Sequence, residues 1–283
     1  MRVRLDSGEA VEARIRGKRL RPVCGDLVTL APLAGETDWL ITAVEERRNA
    51  LTRPNRRGDT EVLAANLDRL VVVAAGTPKA DWFIVDRYLS AAELMPARAV
   101  IVYNKVDLLG SDADRSELDA VVADYRRIGY PVLLTSAESM DGIAELEREL
   151  ASGTSILVGQ SGVGKSSLVN RLLDDAVQKT AALSTKHREG RHTTVNSVML
   201  ALRSGGRVID SPGVRDYAPA VASLGDVADG FREIRELSRD CRFKDCRHVQ
   251  EPGCAVRAGV GSLVSERRYA SYRRSLNLAR SLS

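Results

Sequence analysis

The residues best suited to chemistry begin with "GQSGVGKS", Gly159 to Ser166, which has the spacing G-x-x-x-x-G-K-[ST]. The apolar run "SILVG" precedes it and "KSSLVNRLL" follows, so the loop joins a strand to a helix. Glycines let backbone N–H groups turn inward around phosphate oxygens, and the helix start adds its positive end. The expected phosphate contacts are Gly159, Gln160, Ser161, Gly162, Val163, Gly164, Lys165, Ser166 and Ser167. Lys165 would reach the β- and γ-phosphates, and the Ser166 hydroxyl would ligate Mg2+. This loop alone does not separate ATP from GTP.

The base is addressed by a second group, "NKVD" at 104–107, which closes the apolar strand "RAVIVY". An α/β sheet places its ligand crevice at such strand ends. Asp107 can accept from the guanine N1–H and N2 amine, a donor pair that adenine lacks, so adenine would leave the carboxylate unsatisfied. Asn104 can support the loop and bond the base edge, and the Lys105 stem can cover the ring. "TSAE" at 135–138 closes the next strand, where Ser136 and Ala137 are candidate contacts and the Ala137 N–H could meet the guanine O6.

Two segments after the phosphate loop complete a GTPase. "REGRHTT" at 188–194 supplies Thr193 and Thr194, candidate sensors of magnesium and the γ-phosphate. "DSPG" at 210–213 supplies Asp210, a candidate Mg2+ ligand through water, and Gly213, whose N–H could meet the γ-phosphate. Signalling GTPases carry a water-orienting Gln just after the Asp-x-x-Gly element. Here that position is Val214, so a slow intrinsic rate and stimulation by a partner are expected, with His192 the nearest group able to position water. A structural or RNA-contacting role for His192 stays open.

A separate set, "CRFKDCRHVQEPGC", offers Cys241, Cys246, His248 and Cys254. Three thiolates and an imidazole make a closed structural zinc set, with no open position for chemistry. Cys24 stands apart and reads as a core residue.

These groups need elements to position them. Residues 1–62 read as short strands, "RVRL", "AVEARI", "LVTLAP" and "WLITAVEE", suited to a small β-barrel, with "RRNALTRPNRRGD" as a polar loop or linker. Residues 63–222 alternate buried strands with amphipathic helices, the pattern of an α/β layer with a mostly parallel sheet. Residues 223–283 read as helical pieces around the cysteines and a basic helical tail.

The 283 residues allow two or three domains. The formal charge of +4 says little, but residues 257–283 carry Arg257, Arg267, Arg268, Arg273, Arg274 and Arg280 against Glu266 alone. With the basic first 21 residues, this suggests a polyanion-binding surface, although a solvated charged face reads equally well. The start "MRVRLDSGEA" has no secretory h-region, and runs such as "LVVVAAG" are too short for a bilayer. A reducing, cytoplasmic location and no membrane partner are expected. Trp39 is the sole aromatic of the barrel segment, so base stacking there is not expected.

The order "NKVD", "SAE", "GQSGVGKSS", "GRHTT", "DSPG" resembles the circularly permuted GTPases of the bacterial small-ribosomal-subunit biogenesis family. The resemblance implies an N-terminal OB-type barrel (1–62), a central permuted GTPase domain (63–222) and a C-terminal, mainly helical zinc-binding domain (223–283). It also implies hydrolysis of GTP to GDP with Mg2+, one structural Zn2+, stimulation by the 30S subunit and its 16S rRNA, no DNA specificity and a monomer. The same switch-loop histidine, His192, is the family's candidate for catalysis. Val195 departs from the family, where a third Thr is frequent. Two alternatives remain: a GTP-gated RNA-binding module, and a GTPase acting on another RNA or on translation factors.

Overall fold

The chain is described from a computed structural model covering residues 1–17, 19–33, 38–54, 60–173, 197–211 and 226–282. Its first strands are β1 (Arg2–Arg4), β2 (Ala10–Ile15), β3 (Val28–Pro32) and β4 (Trp39–Val44), paired in the order β1-β2-β4-β3. The β2–β4 pair is parallel and the other two are antiparallel. An OB-like sheet is therefore present, although no ladder among the described residues joins β3 back to β1.

Part of the segment expected as a polar loop or linker is instead a strand, β5 (Ala50–Pro54), which pairs antiparallel with the following β6 (Thr60–Ala65) in a two-stranded ribbon. Its polar look comes from outward residues such as the paired Arg53 and Glu61, whereas Leu51, Leu63 and Ala64 turn into the core of the central sheet. Position 62, the expected domain boundary, lies inside β6. Cys24 packs against that core, as read from the sequence, and burial pushes its thiol up to about 12, which leaves it protonated and unreactive.

The central sheet contains β7 (Arg69–Ala75), β8 (Arg98–Asn104), β9 (Val132–Leu134), β10 (Thr154–Val158), β11 (Val198–Ala201) and β12 (Arg207–Asp210). Their order is β11-β12-β10-β7-β8-β9, and only β11 is antiparallel to its neighbour. Side chains alternate between faces with period two. Leu70, Val72 and Ala74 enter one core with α1 (Trp82–Leu94) and α2 (Asp112–Arg127). Val71, Val73 and Ala75 enter the other, with α3 (Ile143–Glu149) and α4 (Lys165–Leu172). Both faces are covered, so β7 is buried almost throughout.

The chain runs outward from β7 through β8 to β9, then returns to lay β10 against the other side of β7. This reversal opens a crevice beyond the carboxyl ends of β7 and β10. The phosphate-loop candidate follows β10, and "NKVD" begins at the last residue of β8.

The last third comprises α5 (Arg232–Ser238), α6 (Ala255–Ala258) and α7 (Glu266–Leu282), around a small core that includes Phe231, Ile234, Val256, Tyr272 and Leu276. The basic tail is helical, as expected, but three of its arginines hold the protein together. Arg268 is fully buried. It donates to Asp86 on α1 at 2.8 Å and forks onto Glu233 at 2.7 and 3.0 Å. Arg267 donates to Asp86 and to Asp124 of α2, both at 3.1 Å. The Arg274 guanidinium lies 4.0 Å from the centroid of the Phe83 ring.

Candidate active site and metal centre

Two glycines make the phosphate loop possible. Gly159 has φ +137°, and a Cβ there would lie 2.1 Å from the Val73 carbonyl oxygen. Gly164 has φ +95°, and a Cβ would lie 2.3 Å from Asn104 Nδ2. Any larger residue at either place would force the loop away from its neighbours. Lys165 then opens α4. It is almost wholly buried, and its Nζ donates to the carbonyls of Gly159 at 2.8 Å and Gln160 at 2.6 Å, so the ammonium is held at the loop's concave side.

"NKVD" is bonded directly to this loop. The buried Asn104 donates from Nδ2 to the Val163 carbonyl at 2.9 Å. Its Oδ1 accepts from Thr135 Oγ1 at 3.2 Å and from the Ala137 N–H at 3.3 Å. One side chain thus joins the phosphate loop, the end of β8 and the "TSAE" turn. Lys105, in the left-handed region at φ +65°, donates from Nζ to the carbonyls of Gly162 at 2.7 Å and Thr77 at 2.8 Å. Its stem is thereby stretched across the crevice. Asp107 lies in a short 3-10 turn, Val106–Leu108, with an exposed side chain.

The segment 76–81 packs under the same loop. Gln160 Oε1 accepts from the Asp81 N–H at 2.8 Å, while the Asp81 carboxylate caps α1 by accepting from the N–H groups of Phe83 and Ile84. This role of Gln160 was missed in the sequence, since a residue at an unrestricted motif position gives no signal. In the "TSAE" turn, Ser136 Oγ accepts from the N–H groups of Glu138 and Ser139, and Arg171 of α4 donates to the Ala137 carbonyl at 2.8 Å. Ser161, Ser166 and Ser167 are exposed. Asp210 ends β12, and the adjacent Ser211 hydroxyl accepts from Ser197 at 2.8 Å. The candidates His192, Thr193, Thr194 and Gly213, with Val195 and Val214, lie outside the described residues.

The four candidate ligands of the cysteine cluster come together, although their spacing is not that of a common zinc finger. The ligand atoms of Cys241, Cys246, His248 and Cys254 all lie within 4.8 Å of one another, a set capable of holding a metal ion. Cys241 and Cys254 sulfurs are 3.9 Å apart, and each is 3.5 Å from His248 Nδ1. Tetrahedral zinc would demand edges of roughly 3.8 Å between sulfurs and roughly 3.6 Å between sulfur and nitrogen. Burial pushes the Cys246 thiol up to about 12, and the neighbouring cysteines add to this, so a bare cluster disfavours the thiolates that a cation would stabilise. Burial also lowers the His248 pKa, which suits a neutral imidazole ligand. Outside the four, the Arg257 N–H donates to Cys254 Sγ at 3.4 Å, and Tyr269 Oη donates to the His248 carbonyl at 2.6 Å. Burial tends to raise the Glu251 pKa, but N–H groups of its own loop, including those of Val249, Arg247 and Gln250, hold it at about 2 and fix the turn before Cys254.

The chain is similar to known proteins in sequence and in fold. Residues 44–219 match the sequence profile of the family described as "RsgA GTPase". The small ribosomal subunit biogenesis GTPase RsgA of Azotobacter vinelandii is 40% identical over 271 residues, 95% of this chain and 78% of that protein. The protein of the same name from Pseudomonas putida is 40% identical over 268 residues, 94% of this chain and 78% of that one. Among solved structures, YjeQ from Thermotoga maritima superposes with a TM-score of 0.77 at 29% identity, covering 97% of this chain and 92% of that one. YloQ, described as a circularly permuted GTPase, superposes with a TM-score of 0.77 at 28% identity, covering 99% and 89%. With a family profile matched over residues 44–219 and relatives 40% identical over nearly the whole chain, the chain belongs to the RsgA family of circularly permuted GTPases.

Proposed function

We propose that this GTPase turns over GTP in response to the 30S ribosomal subunit and acts late in that subunit's maturation, in the cytoplasm and as a monomer. The observation that carries the reading is the bonded unit of Asn104 and Lys105 with the Val163 and Gly162 carbonyls, because it ties the turn read here as guanine-selective to the phosphate loop. The relatives' names supply the ribosomal partner. 16S rRNA is the surface proposed for contact.

In this reading Asp107 accepts from guanine N1–H and N2, and the Lys105 stem covers the ring. The Ala137 N–H, whose 3.3 Å bond to Asn104 is long, also faces O6, with Ser136 shaping the turn. The N–H groups from Gly159 to Ser167 surround the phosphates, and Lys165 moves from loop carbonyls to phosphate oxygens. Ser166 and Thr194 would hold Mg2+ directly and Asp210 through water; the ion neutralises charge that develops on the phosphates. Thr193, Thr194 and the Gly213 N–H sense the γ-phosphate, and His192 positions the attacking water.

Cys241, Cys246, His248 and Cys254 would hold one structural Zn2+, which stabilises a region with little core of its own. The three-part organisation, an OB-type barrel at 1–62, a GTPase domain at 63–222 and a zinc-binding domain at 223–283, belongs to the same proposal. The parallel β2–β4 pair and the three C-terminal helices support it.

The test is steady-state GTP hydrolysis with and without purified 30S subunits, for the wild type and His192→Ala. Stimulation of the wild type and its loss in the variant, with GTP binding unchanged, are expected. No stimulation of the wild type would refute the ribosomal reading, and full stimulation of the variant would remove His192 from catalysis.

A further inference from the structure

The loop between the first two cysteines carries more than spacing. Cys241 and Cys246 are fixed by the cluster, and the Cys246 N–H donates to the Phe243 carbonyl at 3.3 Å, closing a tight turn that starts at Phe243. Arg242 is held from behind. Its N–H donates to the Gly253 carbonyl at 3.1 Å, and its stem lies so close to Gly253 that a Cβ there would meet Arg242 Cβ at 3.1 Å. The Arg242 guanidinium sits 5.4 Å from the centroid of the Phe243 ring.

The ring itself is 40% exposed, whereas the chain's other two phenylalanines, Phe83 and Phe231, are 9% and 0% exposed. Phe243 is also the one aromatic among the large exposed hydrophobic residues of the described chain. Arg239, Lys244 and Arg247 are exposed near it in sequence. Two exposed acids, Asp240 and Asp245, and the ionised Glu251, which accepts from backbone N–H groups of its own loop, offset these in part. The result is an apolar ring on a tight turn, with the exposed cations Arg242 and Lys244 on either side of it in sequence.

We propose that Phe243 is a stacking platform for an unpaired RNA base, with Arg242, Lys244 and Arg247 taking the flanking phosphates. This rests on the reading that the chain works on ribosomal RNA. Every base offers a π-face, and stacking on an aromatic side chain is a recurrent way to hold single-stranded nucleic acid. A paired helix keeps its bases stacked on one another and offers the ring nothing beyond phosphates. An acidic protein segment would use the cations but has no need of an exposed ring beside them. The stacking surface is therefore on the cysteine loop, not on the N-terminal sheet, where Trp39 is half-buried.

The test uses the full, zinc-loaded chain. Binding is measured to a labelled single-stranded RNA of about 12 nucleotides, within the range of sites such platforms cover, and to the perfect duplex of that strand. Phe243→Leu, which keeps apolar bulk without a π-face, should weaken single-strand binding by about 5- to 100-fold. It should leave duplex binding, zinc content and GTP turnover without partner unchanged. Phe243→Trp should restore single-strand binding. Equal binding by wild type and Phe243→Leu, an equal loss on the duplex, failure of Phe243→Trp to restore, or a loss seen only on vesicles of phosphatidylserine and phosphatidylcholine would each overturn the proposal. Stimulation of the wild type by 30S subunits, run alongside, reports on the ribosomal reading separately, and the oligonucleotide result stands whichever way that control falls.

Discussion

Around the phosphate loop, a six-stranded sheet buried on both faces fixes the backbone, and polar side chains then tie one loop to the next. Around Cys241 the described residues form no sheet. Helices of four and seven residues and eight buried core residues besides Cys254 surround four potential metal ligands, and ion pairs from α7 to α1 and α2 hold the region in place. The first region is held by its own sheet, two apolar cores and side-chain bonds between loops. The second has too little apolar surface to be so independent. A nucleotide that comes and goes suits the former, and a permanent ion suits the latter.

The comparison breaks most visibly on metal removal. Chelation, or Cys254→Ser, should melt the C-terminal region, because structural zinc in small domains supplies on the order of 10 kcal/mol of folding free energy. GTP binding by the crevice should survive. Separate thermal transitions for the two regions, monitored with a bound fluorescent GTP analogue, check this; simultaneous loss of both would show that they are one unit.

Arg268→Met comes next. It leaves Asp86 and Glu233 buried with one fewer cation, a change that costs about 3–5 kcal/mol for a buried pair. Denaturant unfolding should show that loss, and Asp86→Asn in the same background should recover part of it. On the nucleotide side, Lys165→Ala should reduce GTP turnover by about 10^2- to 10^3-fold, the usual cost of one transition-state donor, without changing the melting of the cysteine region. Asn104→Ala should be milder. It removes the partner of the Val163 carbonyl and the Ala137 N–H, and about 1–3 kcal/mol is expected from leaving such groups unsatisfied. Titration should find GTP and GDP weakened together, since the bond precedes any contact with the γ-phosphate.

Much of this was legible in the sequence where a motif has a geometric cause. Gly159 and Gly164 are needed because backbone and side-chain atoms stand where a Cβ would go, and the three cysteines with His248 converge as their residue types suggest. Other features depend on partners far away in the chain. Asp86 sits in the apolar pattern "WFIVDRYL" and looks like the wet edge of a helix, yet it is fully buried against arginines 181 and 182 residues later. Those same arginines made the tail read as a polyanion surface. The β5–β6 ribbon was hidden for a similar reason, because its exposed face is charged and its buried face is only Leu51, Leu63 and small residues. Phe243 was overlooked because its neighbours drew attention as metal ligands.

The central claim is that Asp107, set beside the phosphate loop by Asn104 and Lys105, selects guanine. Asp107→Asn, tested for binding of GTP and xanthosine triphosphate, addresses it most directly. Exchange of the carboxylate for an amide should reverse the preference, with GTP binding reduced and the xanthine nucleotide bound in its place. An unchanged preference for GTP would contradict the assignment.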